Sequence, residues 1–232
     1  MTDGLHPGAA VTGRVRIDFE LGEGPRAWGR ILDLSALEPG DLLLFRPITP
    51  SSDSISRRIT QAQLSAGLHV RHAQWTHAAV YLGDGQNICE ANFKSPGQKD
   101  GVAIRSVFDY CDGTSAIRAR RPSNMTPHQR IRIAIGALTN LGKGYSFNQI
   151  VNFAVDASKE GLLAQLKGVF GLQHGPRPPP QSFVCSTLYQ DALTYASRGN
   201  SVRLGALCTP AQLSASADFE SNDPPLCWLE IE

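Results

Sequence analysis

The chain has 232 residues, enough for one large domain or two small ones with a substantial hydrophobic core. Its 22 Lys and Arg nearly cancel its 21 Asp and Glu, so a nucleic-acid partner held by bulk electrostatics is not expected. With 41% hydrophobic and 19% charged residues it is neither disordered nor fibrous, and apolar runs such as 42–45 fall far short of the ~20 residues needed to cross a bilayer, so no transmembrane segment is expected.

Residues 1–13 are small, glycine-containing and aperiodic, without the basic start and apolar stretch of a secretory leader; the expected location is cytoplasmic, with delivery by a non-classical route compatible. Val15, Ile17, Phe19 and Leu21 then alternate with Arg16, Asp18 and Glu20, which predicts a half-buried strand ended by Gly22, Gly24 and Pro25. A turn at Glu38-Pro39-Gly40 precedes a short apolar strand over 41–45. The connection 47–75 is long and carries a helical pattern over 54–68, the mark of a functional flap or helical insertion. Strands are predicted over 77–82 and 87–92, joined by a hairpin turn at Gly83-Asp84-Gly85, and again over 101–107 and 115–120.

Thr126-Pro127-His128-Gln129 places Thr at a helix cap, Pro at the first helical position and Gln at the third, opening a helix to about residue 140. Leu141-Gly142-Lys143-Gly144 breaks it. Residues 147–172 read as helical, with Leu162, Leu163, Leu166, Val169 and Phe170 on one stripe. The run at 175–180 (GPRPPP) is a stiff extended loop that delivers the chain to a helix beginning near Cys185. Thr209-Pro210 opens a last short helix, and 227–231 reads as a closing strand. A strand-rich front half followed mainly by helices predicts an α+β fold with an antiparallel sheet.

Five cysteines (Cys89, Cys111, Cys185, Cys208 and Cys227) are an odd number without paired spacing, so neither a disulfide framework nor a structural zinc site is expected. Cys185 differs from the others by falling in the first turn of a helix. There the backbone N–H groups and the helix dipole favour an anion, either a thiolate or the oxyanion of a tetrahedral intermediate. A thiolate nucleophile needs a base, and the base needs an orienting acceptor. In the period-2 count His77, Ala79 and Tyr81 share one face, and Ile88, Glu90 and Asn92 share a face of the returning strand. Glu90, opposite Tyr81 or Ala79, therefore falls beside His77. A carboxylate among the apolar residues of ICEAN also requires a partner.

The ordered strings GDLLLF (40–45), THAAVYLGDG (76–85), the strand ending in Glu90-Ala91, Gly101-Val102, GKGYSFN (142–148), FVCSTLYQDAL (183–193) and TPAQLSAS (209–216) resemble the circularly permuted papain-like amidases, relatives of the NlpC-type cell-wall peptidases. The resemblance covers roughly 38–220. It implies a permuted papain-like cysteine hydrolase domain over 38–232, with insertions at 47–75 and 147–181 and an N-terminal extension with one strand over 1–37. By the same resemblance Cys185 is the nucleophile, His77 the general base and Glu90 the residue orienting the imidazole, with Asn92 second for that role. Tyr145 and Ser186 fall near the oxyanion and substrate. Where many members carry an acidic residue after the motif's tyrosine this chain has Ser146, and where many have Ser-Glu after the cysteine it has Ser186-Thr187.

The expected chemistry is acyl transfer through a thioester on a peptide, amide or acyl-lipid substrate, with no cofactor. The lipid alternative rests on likeness to lecithin:retinol acyltransferase-like proteins in the H-x-x-V-Y-x-G-D-G strand and turn, although their Asn-Cys-Glu signature is absent here. A catalytically inactive binding module is the remaining alternative. His69, His72 and His77 are spaced loosely like zinc ligands, but 69–77 reads as loop into strand and no metal site is expected. Arg118, Arg120 and Arg121 read as a solvated strand end and turn.

Overall fold

A computed structural model describes residues 4–49, 54–92, 101–145, 182–197, 209–219 and 223–232. Over these the chain forms β1 (Val11–Val15), α1 (Glu23–Trp28), β2 (Arg30–Leu32), β3 (Leu42–Pro47), α2 (Ser54–Ser65), α3 (Val70–Ala73), β4 (His77–Tyr81) and β5 (Asn87–Asn92). There follow β6 (Gly101–Ser106), a 3-10 turn (Val107–Tyr110), β7 (Ser115–Arg120), α4 (Pro127–Leu138), β8 (Gly144–Tyr145) and β9 (Ser182–Phe183). The last elements are α5 (Cys185–Ala196), α6 (Pro210–Ala215), a second 3-10 turn (Ala217–Phe219) and β10 (Trp228–Ile231).

Among the described residues the main sheet is antiparallel and five-stranded, in the order β6-β5-β4-β3-β7. Its strands send alternate side chains to two separate cores. Leu42, Leu44, Ala78, Val80, Cys89 and Ala91 pack against α4 and α5, whereas Leu43, Phe45, Ala79, Tyr81 and Ile88 pack against a smaller sheet of order β1-β10-β2. A sheet covered on both faces needs apolar residues at every position, which is why 42–45 and 78–81 read as continuous apolar runs. The class is α+β, as the order of elements predicted.

Local signals set several boundaries. Thr126 Oγ1 accepts from the Gln129 N–H and the Gln129 side chain accepts from the Thr126 N–H, so the expected capping box opens α4. Thr209 and Gln212 do the same for α6. The turn before β3 requires glycine: Gly40 has φ +84°, and its carbonyl accepts from Tyr189 Oη at 2.8 Å, fastening α5 to the start of the sheet. The helices α4 and α5 meet closely at Gly136, where a Cβ would lie 3.0 Å from Tyr195 Cβ.

Three expectations are revised or bounded. The N-terminal strand is Val11–Val15 rather than 15–21, because its partner is β10, paired in parallel from Val11↔Trp228 to Val15↔Ile231. Residues 16–20 have no such partner; of them Ile17 packs against the core and Phe19 stacks on Phe108. A second strand, β2, also forms before residue 38 and pairs with β10. The arginines at the end of β7 are not solvated. Arg118 and Arg120 are 7% and 4% exposed and share Asp223, at 3.0 and 3.1 Å. Arg120 also donates to the carbonyls of Leu213, Ser214 and Ser216 at the end of α6. Arg121 pairs with Asp41 and Glu38. A strand reading gives these residues to solvent, whereas the end of α6 takes Arg118 and Arg120 as donors to its last carbonyls and the turn before β3 takes Arg121. The predicted helix over 147–172, the proline-rich loop and Cys208 lie outside the described residues.

Candidate active site

The site lies at the N-terminal end of β4. Gln63 of α2 is fully buried and ties α2 to the segment before β4 and to α6, donating to the carbonyls of Ala73 and Trp75 and accepting from the Ala211 N–H. Thr76 Oγ1 reaches Ser56 Oγ at 3.3 Å, so α2, the helix of the 47–75 connection, abuts the residue before His77.

His77 pairs with Phe45 on β3, and Ala79 pairs with Glu90 on β5. His77 and Glu90 therefore share the sheet face turned to the smaller sheet, one diagonal step apart. The imidazole Nε2 lies 2.7 Å from Glu90 Oε2. Cys185 acts on the His77 charge, raising the imidazole, so the two side chains are close neighbours. Nε2 faces the carboxylate, which leaves Nδ1 as the ring nitrogen that Glu90 does not engage. Cys185 is the first residue of α5, 5% exposed, with its side chain in the core on the helix side of the sheet. The line from thiol to carboxylate thus runs around the end of the sheet, from the helical layer into the layer between sheets.

Glu90 is 0% exposed, yet both its oxygens have partners. Oε2 accepts from His77 and from Tyr110 Oη at 2.6 Å, while Oε1 accepts from Asn92 Nδ2 at 3.2 Å and stands 2.9 Å from Arg105 Nε as an ion pair. Burial raises the Glu90 pKa, but the positive imidazole and the hydrogen bonds from His77, Tyr110 and Asn92 outweigh it and leave the carboxyl below its ordinary value. Burial likewise pushes the His77 imidazole down, but the Glu90 charge and the Cys185 partner bring it up to about 10. Tyr110 is held well above the ordinary phenol range, first by burial and then by the Glu90 charge, so it stays a donor. Its ring stacks on Phe45 with centroids 3.9 Å apart and runs nearly parallel to the His77 ring at 5.9 Å.

Each expected site residue has a definite place. His77 and Glu90 come together, Cys185 lies close enough to act on the His77 charge, and Asn92 Nδ2 donates to Glu90 Oε1. Ser186 is buried next to the thiol. Tyr145 pairs with Phe183, which brings its backbone within two residues of Cys185. Ser146 lies outside the described residues. Of the loosely zinc-spaced histidines, His69 caps α3 through the Arg71 N–H and His72 Nδ1 pairs with Ser214 Oγ at 2.9 Å. Among the described residues no group of three or more His, Cys, Asp or Glu is arranged to hold a metal, and no helix is long and apolar enough to cross a membrane.

Arg105 and Tyr110 were not legible as site residues in the sequence. Arg105 follows from the β5–β6 register, Ile88↔Arg105, which puts it on the Glu90 face; Tyr110 arrives through the 3-10 turn. Comparison of the chain with protein-family models, with curated proteins and with solved structures finds no match in any of the three.

Proposed function

We propose that the chain is a cysteine-dependent hydrolase of the permuted papain-like kind, cleaving an amide bond of peptide or peptidoglycan type through a thioester. The observation that carries this reading is the His77 ring, 2.7 Å from a fully buried carboxylate and close enough to Cys185 for the sulfur to act on its charge. An imidazole so held has one tautomer and one orientation, which is what a general base serving a nucleophile requires.

In the proposed reaction the proton of the Cys185 thiol rests on His77, whose imidazole is raised to about 10, and the sulfur attacks the carbonyl carbon. The oxyanion forms beside the first turn of α5, whose leading N–H groups, that of Cys185 among them, have no acceptor one turn back in the helix. The imidazolium then gives its proton to the leaving nitrogen, the C–N bond breaks and the acyl group remains on sulfur. Water resolves the thioester with His77, now neutral, acting as base and regaining its proton. Glu90 stays ionised throughout.

Mass mapping after iodoacetamide treatment of the native protein tests the nucleophile. Burial pushes the thiols of Cys89 and Cys111 up to about 12, so both are poor nucleophiles at neutral pH. Cys185 is expected to label first, and labelling no faster than Cys89 or Cys111 points instead to an inactive binding module. Release of a peptide amine, compared with release of a fatty acid from micelles, separates the amide from the lipid-ester substrate. Cys185→Ser is expected to abolish whichever activity is seen.

A further inference from the structure

The Glu90 carboxylate has more partners than orienting an imidazole demands. His77 uses one lone pair of Oε2, yet three further groups from β5, β6 and the 3-10 turn close on the same side chain. A carboxylate that faces a buried histidine has two ways to fail. It can take the shared proton itself, or it can rotate about its terminal torsion, which is broad and two-fold for a free Glu.

We propose that Tyr110 and Arg105 are positioning residues for the Cys185–His77 pair: by gripping the two oxygens of Glu90 separately, they keep it ionised and fixed with Oε2 toward the imidazole. Tyr110 donates to Oε2 at 2.6 Å, the same oxygen that meets His77, so this oxygen cannot swing away without breaking two bonds. Arg105 stands at Oε1, 2.9 Å off, and opposes rotation of the carboxylate plane away from the imidazole. The ring of Tyr110 itself packs against both Phe45 and His77, whose rings also neighbour each other, and the turn that carries it abuts α1. The charged and titratable groups facing Glu90 are His77 from β4, Arg105 from β6, and Tyr110 and Asp109 from the 3-10 turn, with Cys185 of α5 acting through His77. Of these, only Asp109 brings like charge, and Arg105 lies between the two carboxylates in electrostatic effect, stabilising both.

The role of these two residues in turnover rests on the hydrolase reading, but their grip on Glu90 does not. The test therefore reads the pair without substrate. Tyr110→Phe keeps the ring stack and removes only the hydroxyl; Arg105→Gln removes the charge. Two quantities are followed against pH while circular dichroism monitors folding: the rate of Cys185 alkylation by iodoacetamide and the NMR shift of the His77 imidazole. In both variants the acid-side inflection, where Glu90 gains a proton, is expected to rise by about one pH unit, with alkylation at mildly acid pH slowed about ten-fold. Arg105→Lys, which restores the charge, is expected to bring the inflection back part of the way. If Tyr110→Phe and Arg105→Gln merely lower the melting temperature while both pH curves overlay those of the wild type, the two residues are structural and the proposal is overturned. If instead the NMR inflection moves but no amide is hydrolysed by any variant or by the wild type, the grip stands and the hydrolase reading falls.

Discussion

Glu90 Oε2 lies 2.7 Å from His77 Nε2, across adjacent strands and one diagonal step from Ala79, the register partner of Glu90. Both side chains face the smaller sheet, while Cys185 belongs to the helical layer on the other side. The carboxylate therefore acts on the charge of the imidazole from a fully buried position between the two sheets.

Glu90→Gln is the sharpest test of that control. With Glu90 present the imidazole is raised to about 10 against the pull of burial. Without its charge the burial effect is opposed only by Cys185, so the basic limb of Cys185 alkylation moves to lower pH. Turnover is expected to fall by roughly 100- to 10,000-fold, since the imidazole loses the acceptor that fixes its tautomer. A basic limb unchanged in the variant contradicts the assignment.

The same pair makes stability depend on pH in a defined window. His77 rises on folding from its ordinary 6.5 to about 10, so its contribution is complete below 6.5 and is lost as pH climbs through about 10. Glu90 is lowered from its ordinary 4.5, so its contribution is complete above 4.5 and is lost as pH falls through the lower folded value. Urea midpoints of the wild type are expected to decline toward both extremes. A His77→Asn, Glu90→Gln double variant is expected to decline less between pH 7 and pH 10.

Arg120→Met is expected to destabilise the fold by about 3–5 kcal/mol, because it strips the last carbonyls of α6 of a donor and leaves Asp223 with half its pairing. Arg14→Met, which removes an exposed pair with Glu230, is expected to cost about 0–1 kcal/mol. Urea unfolding of the two variants measures the contrast. Arg118→Met in the Arg120→Met background is expected to be non-additive, since both arginines share Asp223.

Gly40→Ala tests the turn that anchors α5. At φ +84° a methyl group is strained, and here it also runs into the Arg130 carbonyl. A loss of about 2–4 kcal/mol is expected, read as a lower thermal midpoint. The cap substitution Thr126→Ala, which removes one side-chain acceptor on the same side of the molecule, is expected to cost about 1 kcal/mol.

The sequence by itself determined what short-range physics decides. The capping residues at Thr126 and Thr209, the hairpin from His77 to Asn92 and the helix start at Cys185 all follow from groups within a few residues of one another. The shared face of His77 and Glu90 follows too, because side chains in strands alternate with a period of two. Tertiary structure decided which residues closed around that pair. Nothing near Arg105 or Tyr110 in the chain marks them as partners of a carboxylate; the β5–β6 register and one 3-10 turn bring them there. Arg118 and Arg120 alternate like exposed strand residues until α6 lies over them and turns their charges into caps. The first strand was displaced for the same reason, since its position is set by β10 near the other end of the sequence. Periodicity and capping are local and leave a local trace, whereas the partner of a buried charge is chosen by whatever packs over it.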